Sequence, residues 1–356
     1  MGEAHRLRDP GSGVLTPLID PTTAITLVPP LPATSLSPPM IETLPDDGPR
    51  PFWSVMIPIY NCPANYLRET LESVLCQDPG TGEMQIEVVD NCSTMGDPEA
   101  LVREIGRGRV QFHRQPSNLG IVENFNTCIR RARGHWVHIL HGDDTVRPGF
   151  YAHARQGITA NPGVGAALCR TVYTDEDGQW LGLTDVEARQ PAVLGSDFVD
   201  RQLVDQLIQF VSIVVRRTTY EELGGFRSSL AHCLDWDMWK RIAIRKPIFY
   251  DPELLACYRL HEAADSSRLM RTGENVADER RSIEISCADM PPERARAVRR
   301  AARKAAAVRA VRRARRLWQK GDHATAWRQL TEAFRCSLAP AVLARTAYFF
   351  VRVVLR

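Results

Sequence analysis

The chain has 356 residues, 44% hydrophobic and 24% charged, and a mass of 40.0 kDa. That length allows two domains or one with appendages, and the composition excludes both a chain disordered throughout and a disulfide-stapled miniprotein. The net charge of +3 averages unlike parts: residues 291–356 carry 17 Lys/Arg against 3 Asp/Glu, net +14, while residues 1–290 carry net −11.

The nine cysteines form no C-x-x-C pair; reduced thiols in a cytoplasmic protein explain them better than a disulfide framework or a zinc site. No apolar run is long and uncharged enough for a membrane span. The opening MGEAHRLRDPGSG has no apolar stretch of the secretory type.

Residues 1–50 hold ten prolines, several in pairs, and read as a flexible Pro-rich leader, because proline breaks helices and central strands. Structure is expected to begin near Phe52. SVMIPIY then reads as a buried strand. Tyr66 to Gln77 is a helix with Leu67, Leu71, Val74 and Leu75 on one face. Met84 to Asp90 is a strand, 98–105 a helix, 110–114 a short strand, 121–132 a helix ended by Gly134, and 135–140 a strand running into HGDD. This alternation predicts βαβ units and a mainly parallel sheet. Ligands of such sheets bind beyond the carboxyl ends of the strands, where Asp90 and Asp143/Asp144 both fall. Later, 166–173 and 207–215 read as strands, 218–223 and 235–245 as helices, and FYDPELLACY as a strand before His261. From 293 to 320 the chain is an Ala/Arg-rich helix, and 324–336 a second helix after Gly321-Asp322, together a helical hairpin. The boundaries drawn are a leader at 1–50, a catalytic domain at 51–265 and a basic helical extension at 266–356.

Each chemical candidate has a bland reading. Asp143 and Asp144 repel each other at a strand end, and a divalent cation with oxygen ligands relieves that repulsion; alone, the pair is a solvated turn. Asp90 could accept hydrogen bonds from a base edge or ribose, or close an Asx-turn. Asp235, with Asp237 two residues on, could be a general base or charge at a helix start. At that spacing only one of the two faces a cleft, leaving the other to solvent or Arg241. His261 could reach the same rim as a metal or phosphate ligand, or be an ordinary surface histidine.

Taken in order, SVMIPIYN, VVDNCST, Asn118-x-Gly120, HGDD and LDWDMWKR resemble family 2 inverting glycosyltransferases with the GT-A fold, over Pro51 to His261, about 60% of the chain. The resemblance implies a Rossmann-like, mostly parallel mixed sheet of the nucleotide-diphospho-sugar transferase type, followed here by the helical extension. It implies a metal-dependent, hexosyltransferase-type enzyme using a UDP-, GDP- or dTDP-sugar, Mg2+ or Mn2+, and a hydroxyl-bearing glycan or lipid-linked acceptor in cell-surface polysaccharide, lipopolysaccharide or glycolipid synthesis. On this resemblance Pro58 and Tyr60 line the nucleoside pocket, Asp90 and Asn91 bind base and ribose, and Asn118 and Gly120 also contact the donor. Asp143 meets ribose or metal, Asp144 is the principal metal ligand, His261 touches diphosphate or metal, and Asp235 is the catalytic base. Two departures stand out: Asn91 where the family often has a second Asp, and His141 where its metal motif often begins with Asp.

The basic tail admits a solvated helix, a membrane-surface element or a nucleic-acid contact. VLARTAYFFVRVVLR is too short and charged to span but suits an interfacial helix, placing the protein at the inner face of the cell membrane. Basic density alone also gives nucleic-acid affinity, but no recognition motif is present. The competing functional readings are a nucleotidyltransferase, which would normally carry a Gly-rich basic phosphate loop that PIYNCPANY lacks, and a non-catalytic scaffold using the tail.

Overall fold

The structure is a computed structural model and describes residues 37–45, 48–261, 265–288 and 290–351. The greater part of the leader, 1–36 and 46–47, and the tail residues 352–356 lie outside the described residues. The chain begins with β1 (Trp53–Ile59), α1 (Ala64–Leu75), β2 (Met84–Asp90), α2 (Pro98–Gly106), β3 (Gln111–Arg114), α3 (Ile121–Arg131) and β4 (Trp136–Ile139). Strands β1 to β4 form a parallel array in the order β3-β2-β1-β4. Every residue of β1 is buried because helices cover both faces, as continuous apolar strands require. Trp53, Val55, Ile57 and Ile59 enter one core with α1, and Met56 enters the other with Phe125 and Ile129 of α3. The turn from α3 into β4 passes so close to β1 that a Cβ on Gly134 would lie 2.5 Å from the Trp53 carbonyl carbon.

The second half adds β5 (Thr145–Val146), α4 (Phe150–Ala160), β6 (Ala166–Thr174), β7 (Trp180–Leu183), β8 (Ala192–Val193), α5 (Ser196–Val204), β9 (Ile213–Arg216), α6 (Arg217–Leu223), α7 (Leu234–Arg245) and β10 (Ile248–Arg259). The sheet continues as β4-β9-β6-β10-β5, with β9 antiparallel to both its neighbours and β6 parallel to β10. It is therefore a mixed sheet, parallel from β3 to β4 and between β6 and β10, with antiparallel pairings elsewhere. The strand expected over 207–215 is instead a short 3-10 turn at Phe210–Ser212 followed by β9.

The leader departs from its reading at its described end. Ile41 is buried in the core, the Pro39 carbonyl accepts from Gly225 N at 2.8 Å, and the Glu42 carbonyl accepts from Arg217 Nη2 at 3.1 Å. Proline-rich backbone needs no ladder partners, so it can lie in extended form over an apolar seam.

The helical extension comprises α8 (Asp265–Thr272), α9 (Glu274–Ala288), α10 (Pro292–Gln319), α11 (His323–Cys336) and α12 (Pro340–Phe349). The first two were not foreseen in the polar sequence after His261. Helix α10 buries a seam of small residues, Ala295, Ala302, Ala306, Ala310 and Ala314, against α9, α11 and α12. Alanine at this helical spacing lets neighbouring helices pack closely while Arg312, Arg315 and Arg316 stay outside. Among the described residues no helix is long and apolar enough to cross a membrane.

Candidate active site

A cleft of about 870 Å3 opens beyond the carboxyl ends of β1, β2 and β4, where this topology places ligands. Its floor comes from Pro58 and Tyr60 after β1, Asn91 after β2, Asn118 and Gly120 leading into α3, and His141 and Asp143 after β4. Asp235 and Trp236 of α7, with Gln206 and Gln209 from the loop after α5, line it as well. Arg309 and Arg313 of α10 reach the same space.

Local hydrogen bonds hold these strand ends in place. Asn91 donates to Asn118 Oδ1 at 2.8 Å and accepts from Leu119 N at 2.9 Å. Asn61 adopts φ 49°, a left-handed conformation that asparagine tolerates. Its Oδ1 accepts from Thr94 N and Met95 N, at 2.8 and 3.1 Å, which pins the turn after β1 to the turn after β2.

Asp90, expected at the base and ribose, has partners within the protein. Its side chain is fully buried and outside the cleft lining. Ser93 Oγ and N donate to its Oδ1 at 2.5 and 3.1 Å, and Arg114 Nε donates to Oδ2 at 2.7 Å. These bonds close the turn after β2 and pair the Asp90 carboxylate with Arg114, while Asn91 lines the cleft.

The HGDD segment forms the polar centre. Among the described residues, ligand atoms of His141, Asp143 and Asp144 all lie within 4.8 Å of one another. Asp144 is buried below the cleft wall; its Oδ1 accepts from Arg259 N at 2.9 Å, while Oδ2 accepts no hydrogen bond among the described residues and lies 3.8 Å from His141 Nδ1. Burial, and then the charge of Asp143, push its carboxyl well above the usual range. Burial also pushes Asp143 up, but the hydrogen bond from His261 and the charges of His141 and His261 outweigh this and hold it low. An orphaned buried carboxylate oxygen beside a second carboxylate and an imidazole fits a divalent cation with O/N ligands.

His261 enters this cluster through Asp143, its Nε2 lying 2.7 Å from Oδ2. Asp143 raises the imidazole's affinity for a proton. The third member of the compact donor set is thus His141, noted in the sequence only as a departure. Its ring is fixed by stacking on Phe125 at 5.2 Å and by Phe210 at 4.7 Å.

Asp235 sits at the first turn of α7. Gln206 Nε2 donates to Oδ2 at 2.8 Å, and Trp236 N donates to Oδ1 at 2.6 Å. Burial raises its carboxyl to about 6, against the lowering effect of these donors. Asp237 points inward instead, clamped by Arg227 Nη1 at 2.6 Å and Arg241 Nε at 3.0 Å. The spacing had separated the two roles; the structure shows that Asp237 meets Arg241 and not solvent.

Gln206, Arg259, Arg309 and Arg313 were not read from the sequence. Gln206 lies 29 residues before Asp235, and no local pattern marks it. Arg259 was visible within YRLH, but its role in holding Asp144 through the main chain was not.

The family model described as "Glycosyl transferase family 2" matches residues 54–216. The likeness to that family thus spans the parallel strands β1 to β4 and the HGDD segment. An uncharacterised protein of Mycobacterium tuberculosis is 28% identical over 244 residues, covering 66% of this chain and 75% of that protein. The succinoglycan biosynthesis protein ExoO of Rhizobium meliloti is 35% identical over 113 residues, covering 32% of this chain and 30% of its own. Among solved structures, the mannosyltransferase PcManGT from Pyrobaculum calidifontis, in complex with GDP-Man and Mn2+, aligns with a TM-score of 0.54 and 20% identity over 89% of this chain and 85% of that one. That likeness shows the GT-A-like fold of this chain.

Proposed function

We propose that this protein is a glycosyltransferase that moves a sugar from a nucleoside-diphosphate donor to a hydroxyl acceptor with inversion at the anomeric carbon, in the assembly of a surface polysaccharide or lipid-linked glycan. The observation that carries this reading is that His141 and Asp143, with Asp144 buried beside them, line the same cleft as Asp235, a carboxylate whose burial makes it a better base than an exposed aspartate.

In this reading Pro58, Tyr60, Asn91, Asn118 and Gly120 hold the nucleoside. Asp143 and Asp144, with His141 and with His261 behind Asp143, would hold Mg2+ or Mn2+. When bound, that ion offsets the negative charge that collects on the departing diphosphate. Asp235 takes the proton from the acceptor hydroxyl as that oxygen attacks the anomeric carbon. Gln206 and the Trp236 amide hold both carboxylate oxygens, so the base meets the acceptor in one orientation. A carboxyl titrating near 6 is ionised at neutral pH and still basic enough to share a hydroxyl proton in the transition state. The fold neighbour in complex with GDP-Man and Mn2+ agrees with the donor and ion class, and ExoO with the polysaccharide setting.

The test is a panel of UDP-, GDP- and dTDP-sugars with Mn2+ or Mg2+, with and without EDTA, followed by proton NMR of the product's anomeric configuration. EDTA-sensitive release of a nucleoside diphosphate and an inverted linkage support the reading. Retention of configuration removes Asp235 as a base acting in a single displacement. Release of pyrophosphate with nucleotide transfer would instead identify a nucleotidyltransferase.

A further inference from the structure

Helices α11 and α12 expose an apolar surface that packing against α10 leaves uncovered. On α11, Trp327 and Phe334 lie two turns apart on the outward side, and Leu338 follows just beyond its end, with Trp327 48% and Leu338 65% exposed. On α12 the outward residues include Leu343, Tyr348 and Val351 just beyond its end. The two sets are continuous: the Trp327 ring lies 5.6 Å from Phe350, and Trp318 of α10 contacts both Trp327 and Phe349. By contrast Phe349, read from the sequence as part of an interfacial face, is buried inside the helical module.

The border of this surface is basic. Arg312, Arg315, Arg316 and Lys320 are exposed on the last turns of α10, and Arg345 on α12. Arg315 lies over the Tyr348 ring at 5.7 Å. Acidic residues do not balance them: in 291–351 there are only Glu293, Asp322 and Glu332. Of these, Asp322 caps α11 and Glu332 is taken by Arg280 and Arg335.

We propose that this face, formed by the ends of α10, α11 and α12, seats the protein on an anionic lipid bilayer. Exposed aromatic and aliphatic side chains ringed by arginines match the interfacial zone of such a membrane, where the rings enter the acyl boundary and the guanidinium groups meet phosphate headgroups. A second copy related by two-fold symmetry would bring the same arginines against one another. A nucleic acid would satisfy the arginines and leave the aliphatic side chains in water. Helix α10 also ties this face to the cleft: Arg313 lines the cleft and Trp318 borders the apolar surface, five residues or about 7.5 Å apart along the helix. An acceptor carried on a lipid would then be delivered beside the base.

The test uses the full chain in flotation with phosphatidylcholine vesicles, with and without phosphatidylglycerol, and follows donor turnover in solution separately. Binding is expected with phosphatidylglycerol. Trp327→Glu with Leu343→Glu should lower the partition coefficient at least about tenfold. Arg315→Gln and Arg316→Gln should each lower it about fivefold, on anionic vesicles only. Phe334→Ser with Leu338→Ser, a milder change at exposed positions, should also weaken binding while leaving donor turnover at wild-type level. The proposal is overturned if the wild-type chain does not float, or if the apolar variants float as well as wild type. It is also overturned if light scattering shows a dimer that Trp327→Glu dissolves without any vesicle binding, or if the face retains DNA but not vesicles. None of these outcomes bears on the reaction, which donor turnover reports independently.

Discussion

Replacing Gln206 with leucine removes one donor from the Asp235 carboxylate and nothing else that touches it. Gln206 Nε2 lies 2.8 Å from Oδ2, and the Trp236 amide continues to hold Oδ1. A hydrogen bond to an ionised group stabilises it by about 1.5–3 kcal/mol, which corresponds to about one to two pK units. Since Asp235 titrates near 6 with that donor present, the variant should titrate near 7–8. The wild-type base is then about 90% ionised at pH 7 and the variant about 10–50%. The expected outcome is a fall of about two- to tenfold in kcat/KM at pH 7, with most of the activity recovered near pH 9. The assay is the pH profile of kcat/KM for sugar transfer, with donor affinity measured in parallel by calorimetry. Recovery at high pH distinguishes a retuned base from a distorted cleft, which would lose activity at every pH. An acid limb that stays at its wild-type position would refute the assignment of Asp235 as the base and of Gln206 as the residue that positions it.

Asp235→Asn should lower turnover about 10²–10⁴-fold and leave donor affinity in place. Because burial raises this carboxyl from 3.8 to about 6, its contribution to folding is complete below pH 3.8 and lost as pH rises through about 6. Thermal denaturation at pH 8 should therefore show the amide variant equal to wild type or stabilised by up to about 3 kcal/mol. Asp144→Ala removes the orphaned oxygen beside His141 and should abolish any gain in donor affinity that Mn2+ brings; calorimetry showing an unchanged gain would count against the cation site. Asp237→Asn leaves Arg227 and Arg241 facing a neutral group in the interior, and should cost about 3–5 kcal/mol of stability by denaturant titration. At temperatures where that variant stays folded, donor binding should be intact, which separates it from Asp235.

The order of strands and helices from β1 to β4 was legible because each segment buries its own apolar pattern, and burial in a parallel sheet leaves a continuous hydrophobic run in the chain. The polar clusters after β2 and β4 were legible for the same reason: an apolar strand that ends in Asp or Asn marks its own carboxyl end. Which of those side chains turns into the cleft was not. Asp90 and Asn91 are adjacent and chemically alike, yet Arg114 and Ser93 draw one inward while the other stays at the rim. Arg114 reaches Asp90 only because β3 pairs beside β2, and that pairing is a property of the sheet rather than of either segment.

The same division holds at the base and in the tail. Sequence spacing assigned Asp235 and Asp237 to different helix faces, but the partners Gln206 and Arg227 arrive from separate loops. In α10 the charge count was plain from composition, while the alanine seam that turns Arg309 and Arg313 toward the cleft depends on which neighbours the helix packs against. Local pattern determined the elements and the chemistry available at their ends. Tertiary packing decided which charges are neutralised, which stay open to a ligand, and which apolar surface remains uncovered, because those outcomes depend on contacts between residues far apart in the chain.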